Sequence, residues 1–578
     1  MGGAAGVSDA GGTNAARTRR AALIVATLAF AVYLSNLRQM RSGDTIPARL
    51  LPFSVLRERD LDLDEFAWLR SPDLPPPYFL TRDGAGHWRS KYPVATPLVA
   101  APLAWPFVWW VRAHGIDDQD ARFRLLTVVF ERVAAALFGA VSVALVLLAA
   151  REVAPIRWAV AAAVFYAFGT STWVYSQALW QHGLVQVTIA GAALCLLRPA
   201  TRWRALLAGA ATALALATRP TTLILVPIFA LYVWRERRTG FWYFLSPFIV
   251  GAALLVTYNV YVLGQLTGGY TTRNIALPEV GRLLGLLVSP NRGLLVYCPL
   301  VLLALAALRR GTQPVVLRYF AIALPAYAVF FAAFRIWWAG WSFGPRFFTD
   351  VMPLVTLTAL PLAQRLWARR GGRALLVAGL VWGIGVQGVG VYFDDNDWNA
   401  SPVSIDQQSD RLWSWSDPQI LRALHSGWRG GELAPLLWQL LTDPRPAPLV
   451  PLEPAQLSGT IEAVSPLPWR CRAGAPCTAD VRITNRSAST VWPAYADLGP
   501  YGVTLGAFWR SDDVQPSVPG WSILLGRHLG PGDSARLRLP ISLPARAGTY
   551  ELGMAILQYR GAAEPTGGAS LSVPVVVE

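Results

Sequence analysis

The feature that most limits what this chain can fold into is a succession of apolar runs, broken at short intervals by clusters of arginine. A helix that crosses a bilayer needs about 20 apolar residues, and arginine gathers in the connections that stay in the cytoplasm. Composition agrees: of 578 residues, 54% are hydrophobic and 15% charged, as in integral membrane proteins. The formal charge of +16 could suggest nucleic acid. The arginines, however, lie between apolar runs, where they set topology, and no nucleic-acid partner is expected.

Residues 1–20 read as a disordered cytoplasmic tail rich in Gly and Ala, with Arg17, Arg19 and Arg20 holding the N-terminus inside. The first run, Ala21–Leu37, lacks a small-residue cleavage site and reads as a retained helix. Further helices are expected at 125–150, 157–176, 183–197, 205–218, 222–234, 241–262, 293–308, 316–335, 348–368 and 373–392. The runs 205–218 and 222–234 are short and can form a broken hairpin around Arg219-Pro220. Tyr92–Val111 is the exception, because Pro93, Pro97, Pro102 and Pro106 make poor material for a straight helix. If it does not cross, the clusters at Arg151/Arg157, Arg198/Arg202/Arg204, Arg235/Arg237/Arg238, Arg309/Arg310 and Arg369/Arg370/Arg373 all fall inside. If it crosses, they all fall outside. The positive-inside rule therefore favours a re-entrant or interfacial segment on the outer side. The expected fold is an all-α polytopic membrane domain over 21–392, with about 11 transmembrane helices. Its first outer loop, 38–124, carries interfacial helices.

Residues 393–455 form a linker rich in Trp and Pro, suited to the water–lipid interface. From 456 to 578 apolar and polar residues alternate in short runs, among them 479–484, 535–539, 550–556 and 571–577, with Gly/Pro/Asp turns between. This argues a small all-β sandwich outside the membrane. An oxidising outer compartment would permit a disulfide between Cys471 and Cys477.

On this topology the outer side collects the residues suited to chemistry. Asp44 stands in Gly43-Asp44-Thr45, at the membrane rim just past the first helix. A transferase that moves a sugar with inversion needs one general base for the acceptor hydroxyl. It also needs cations for a departing lipid phosphate, a task suited to arginine. Asp44 can be that base, and Lys91 (the single lysine), Arg292 and Arg346 the cations. His182, Trp341 and Arg273 are candidates for substrate contact, with a structural or metal-binding role also open to His182. No zinc-protease, Walker or dinucleotide motif is present. Two other readings compete: a transporter or flippase for a lipid-linked glycan, which would draw on Glu131, and a polytopic anchor for the β-domain.

Taken in order, several stretches resemble the GT-C glycosyltransferases, in particular bacterial relatives of the protein O-mannosyltransferases and aminoarabinose transferases. They are Gly43-Asp44, Lys91–Pro97, Phe168–Trp173 running to His182, Ala217–Thr221, Ser289–Leu295 and Trp337–Phe347. The resemblance covers about residues 20–390. It implies a polyprenyl-phosphate sugar donor bound from the outer leaflet of a bacterial cell membrane, and a glycan, lipid or protein acceptor. It also implies that Asp44 is the base and that Lys91 contacts donor phosphate. Ser90-Lys91-Tyr92-Pro93 departs from the family's Gly-Lys-Pro-Pro-like segment. Asp44 is followed by Thr45 rather than by a second acid, so no shared metal is assigned, although a divalent ion is left open. The C-terminal region resembles the immunoglobulin-like modules that end some of these enzymes.

Overall fold

A computed structural model describes residues 5–578 without 71–74, 270–273, 395, 401–402, 444, 448, 473–476, 495–500, 511–520, 542–546 and 559–565. Helices fill the chain as far as Tyr392 and strands dominate after Gly459. Four described helices are long and apolar enough to cross a membrane: Ala121–Arg151, Arg238–Leu263, Arg346–Trp367 and Arg370–Tyr392. Shorter apolar helices stand beside them at Ile156–Phe168, Gln181–Leu197, Pro299–Leu308 and Val316–Phe331.

The expected count of about 11 transmembrane helices is thus corrected to four clear candidate spans among the described residues, for reasons local to the sequence. The 157–176 run stops at Phe168 and resumes as a separate turn, Thr172–Tyr175. The 205–234 stretch breaks after Thr218, at the Arg219-Pro220 hairpin that its short runs allowed, because Pro220 has no N–H to continue the helix. The 293–308 run divides into Leu294–Tyr297 and a tighter 3-10 stretch, Pro299–Leu308. The N-terminal tail, expected to be disordered, is helical from Ala5 and continuous with the first apolar run to Leu34.

The proline-rich segment forms a helix after all, Ala95–Ala113. Pro97 lies in the first turn, where its missing N–H is not needed. Pro102 and Pro106 stand four apart on the exposed side. Ala100, Ala104, Val108 and Val111 form the buried stripe, and the helix packs against Ile46–Arg57 and Ala121–Arg151.

Hydrogen bonds divide the helix ends into two groups. Arg198 bonds Glu152 (2.8 Å), Arg237 bonds the Leu196 carbonyl (2.5 Å) and Tyr319 bonds Glu236 (3.2 Å). Arginine-bearing connections therefore meet at one end. His182 and Leu196 occupy opposite ends of the Gln181–Leu197 helix, so the site described below lies at the other end.

The linker after Tyr392 folds back on that second end. Gly431 and Leu433 donate backbone hydrogen bonds to Asn36 and Leu37 (2.7 and 2.9 Å), and Ala121 donates to Ala447 (2.9 Å). A hairpin of β1 (Leu80–Arg82) and β2 (Trp88–Ser90) stands in the first loop. The C-terminal strands are β3 (Gly459–Ala463), β4 (Trp469–Cys471), β5 (Cys477–Asn485), β6 (Val503–Arg510), β7 (Trp521–Leu524), β8 (Ser534–Ile541), β9 (Gly548–Gln558) and β10 (Thr566–Val577). They form one sheet in the order β4-β10-β9-β6-β7 and a second in the order β3-β5-β8. Alternate residues such as Val481, Ile483, Leu505, Leu552, Met554 and Val573 fill one core between them. Leu125 and Val128 of the Ala121–Arg151 helix join that core, which fixes the β-region to the helical part. A disulfide joins Cys471 and Cys477.

Candidate functional site

The first helix ends at Leu34, and the chain beyond it is held by a buried arginine. Arg132 donates to the Tyr33 carbonyl (2.6 Å), the Asn36 side chain (2.7 Å), and the Gln177 carbonyl and side chain (2.6 and 2.7 Å). Its neighbour Glu131 pairs with Arg49 (3.4 Å) and accepts from the Leu179 backbone (3.1 Å). Adjacent residues of one helix thus fix both the exit loop and the 177–180 segment. Asp44 follows in the 3-10 turn Gly43–Thr45. A Cβ at position 43 would stand 2.5 Å from the Tyr78 hydroxyl, so a larger residue there displaces that ring. That hydroxyl reaches over Gly43 to donate to Asp44 Oδ1 (3.0 Å).

Asp44 is the centre of the site. Oδ1 also accepts from Tyr92 (2.6 Å), and Oδ2 pairs with Arg346 Nη2 (2.7 Å). The Asp44 and Arg346 side chains are 23% and 15% exposed, so the pair is sheltered but reachable. Burial pushes the Asp44 carboxyl up. The Arg346 charge and the hydrogen bonds from Tyr92, Arg346 and Tyr78 outweigh that push, and the carboxyl is held below its ordinary value. It is ionised at neutral pH and able to accept a proton.

Arg346 lies over the Trp180 ring (5.7 Å to its centroid), and Trp180 donates to Ser42 (3.3 Å). The Arg346 Nε donates to His182 Nε2 (3.3 Å). His182 Nδ1 contacts Asp350 Oδ1 (2.7 Å), and Arg219 reaches both His182 Nε2 (3.2 Å) and Asp350 Oδ2 (3.0 Å). The C-terminal end of the Arg202–Thr218 helix thus meets the N-terminal end of the Gln181–Leu197 helix and the Arg346–Val351 turn.

Of the residues expected from sequence, Asp44, His182 and Arg346 come together. Lys91 adjoins them through its neighbour Tyr92. It is half-buried, and its ammonium has no ion-pair partner among the described residues. Arg292 does not join them. It is 1% exposed and spends its donors on the carbonyls of Trp338 and Asn291 and the side chains of Gln419 and Asn399. A guanidinium so enclosed holds the linker to the helices and has no face left for phosphate. Trp341 is 49% exposed, and no described contact joins it to Asp44. Arg273 lies outside the described residues. Asp350, Tyr78 and Trp180 were missed. An acid four residues after Arg346 in an apolar stretch was a signal for the first, since such charges are costly without a partner.

The donors at Asp44 are three hydrogen-bonding side chains rather than a second acid. Among the described residues the one close group of three metal-ligand atoms is Asp62, Asp64 and His87. No such group among the described residues includes Asp44.

No protein-family profile and no curated protein sequence matches the chain. Among solved structures, an oligosaccharyltransferase of Archaeoglobus fulgidus in the apo form aligns over 69% of this chain and 60% of its own, with 10% identity and a TM-score of 0.36. The chain thus spans less than two thirds of that enzyme's length. The Pseudomonas fluorescens alkylpurine DNA glycosylase AlkC, bound to DNA containing an abasic-site analogue, aligns over 75% of this chain and 97% of its own, with 12% identity and a TM-score of 0.13. Likeness this slight carries no argument about fold or activity.

Proposed function

We propose that the chain is a membrane glycosyltransferase that takes a sugar from a polyprenyl-phosphate donor and passes it, with inversion, to an acceptor hydroxyl. The observation that carries this reading is the Asp44–Arg346 pair, a reachable carboxylate against a guanidinium at one end of the helices. Asp44 takes the proton of the acceptor hydroxyl as that oxygen forms its bond to the anomeric carbon. The bond from the anomeric carbon to the phosphate oxygen breaks, and the leaving polyprenyl phosphate carries away that electron pair. Arg346 and Lys91 meet the growing charge. As phosphate draws on Arg346, Asp44 shares its strongest counter-charge and becomes the stronger base. The site end is then the extracytoplasmic one, with the arginine-rich end inside. The β-region shares that outer side, where acceptor contact is open to it.

The transport reading would draw on Glu131. That residue is buried between Arg49 and the Leu179 backbone, where it serves as an anchor and not as a mobile carrier. The test uses the full chain in proteoliposomes with labelled polyprenyl-phosphate hexoses and pentoses and candidate lipid and peptide acceptors. Label on an acceptor with equal release of polyprenyl phosphate supports transfer. Label that changes leaflet while still joined to its lipid supports transport.

A further inference from the structure

We propose that Asp350 is a positioning residue that acts through His182 to aim Arg346; the inference rests on the reading of Arg346 as a phosphate ligand. Asp350 and His182 are both 0% exposed, and Asp350 Oδ1 lies 2.7 Å from His182 Nδ1. A carboxylate only accepts hydrogen bonds, so the ring proton sits on Nδ1. In the neutral ring Nε2 is then a bare acceptor. Two donors face it, Arg219 Nη1 at 3.2 Å and Arg346 Nε at 3.3 Å. A proton on Nε2 would instead point at two guanidinium groups. Asp350 therefore fixes the tautomer in which His182 can hold Arg346, and Arg219 Nε, 3.0 Å from Asp350 Oδ2, balances the buried charge.

Arg346 is consequently held at two nitrogens. Its Nε is tied to His182 and its Nη2 to Asp44 at 2.7 Å, with Trp180 beneath the plane. These contacts fix both the tilt and the roll of the guanidinium. Its Nη1 has no partner among the described residues, and it is the group left to meet an anion. Loss of the chain behind His182 frees the guanidinium to turn, and a misaligned donor binds phosphate poorly. Asp350 touches no substrate; it sets where Nη1 points.

The test uses the full chain in nanodiscs with decaprenyl phosphate as the probe. Asp350→Asn and His182→Gln should each weaken its binding about tenfold, the scale of one charge-assisted hydrogen bond. The double variant should be no weaker than either single variant, because both break one chain. In turnover, KM for the donor should rise more than kcat falls, a split that a general loss of packing would not give. Where Asp350→Asn fails to fold, Asp350→Leu with Arg219→Met removes the acceptor oxygens and their counter-charge together and should weaken binding to at least the same degree. Additive losses in the double variant, or unaltered binding in a folded Asp350→Asn, overturn the inference alone. A wild type that does not bind decaprenyl phosphate overturns the functional reading and this inference with it.

Discussion

Replacing Arg346 by Met or Lys tests both of its duties at once. Its guanidinium reaches Asp44 and His182 through different nitrogens, at 2.7 and 3.3 Å, and leaves a third for substrate. Methionine removes both contacts and the open nitrogen, and a lysine ammonium cannot replace all three. A charge-assisted hydrogen bond contributes about 1.5–3 kcal/mol, so donor KM should rise about 10- to 100-fold in Arg346→Met. The second effect is on Asp44. Burial raises its carboxyl, and the Arg346 charge is the largest effect opposing it. Without Arg346 the carboxyl moves up, so the acid limb of the pH–rate profile should move to higher pH. Stability follows the same sign. A carboxyl lowered on folding stabilises the protein above its unfolded value, near 3.9, and that stability is lost as pH falls through the folded value. The gap between wild type and Arg346→Met, about 1–3 kcal/mol for so sheltered a pair, should therefore close as the solution is acidified below about pH 4. Steady-state kinetics across pH, with thermal unfolding at each pH, reads all three. An unchanged donor KM and an unmoved acid limb would refute the reasoning.

Two further outcomes follow from groups away from Asp44. Burial pushes the Glu65 carboxyl, beside the Ser54 hydroxyl, up to about 7. Its unfolded value lies near 4.3, so stability falls as pH rises from there to about 7 and is flat beyond. Glu65→Gln should gain about 2 kcal/mol at pH 8, after discount for solvent screening, and nothing at pH 4, as read from denaturant midpoints. Arg292→Met should cost about 3–5 kcal/mol by leaving its partners buried and unpaired, with donor KM unchanged in the folded protein. A raised KM at full stability would return Arg292 to the phosphate site.

Much of this architecture was legible because the bilayer imposes long-range order on sequence. Arginine clusters marked one end of the helices, and period-two alternation marked β5, β8, β9 and β10. Helix interruptions were harder to read. Hydropathy does not register that Phe168 ends one helix and Thr172 begins another, and four prolines argued against a helix whose exposed side tolerates two of them. At the site, Asp44 was visible from its place past the first helix. Arg292 and Arg346 were assigned the same phosphate role, each an arginine in an outer loop with glycine nearby. Only the fold separates them, by enclosing one among Gln419 and Asn399 and leaving the other an open nitrogen. Asp350 and Arg219 stand 131 residues apart in sequence, yet 3.0 Å apart in the fold, a pairing that no local pattern carries.

The central claim is that Asp44 is the base of a sugar transfer. Its most direct test is transfer of label from polyprenyl-phosphate sugars in vesicles, with wild type and Asp44→Asn at equal expression. Asparagine keeps the shape and can still accept from Tyr92 but cannot take a proton, so the account predicts transfer by the wild type and a loss of about 10²- to 10⁴-fold or more in the variant. Equal transfer by both would contradict it.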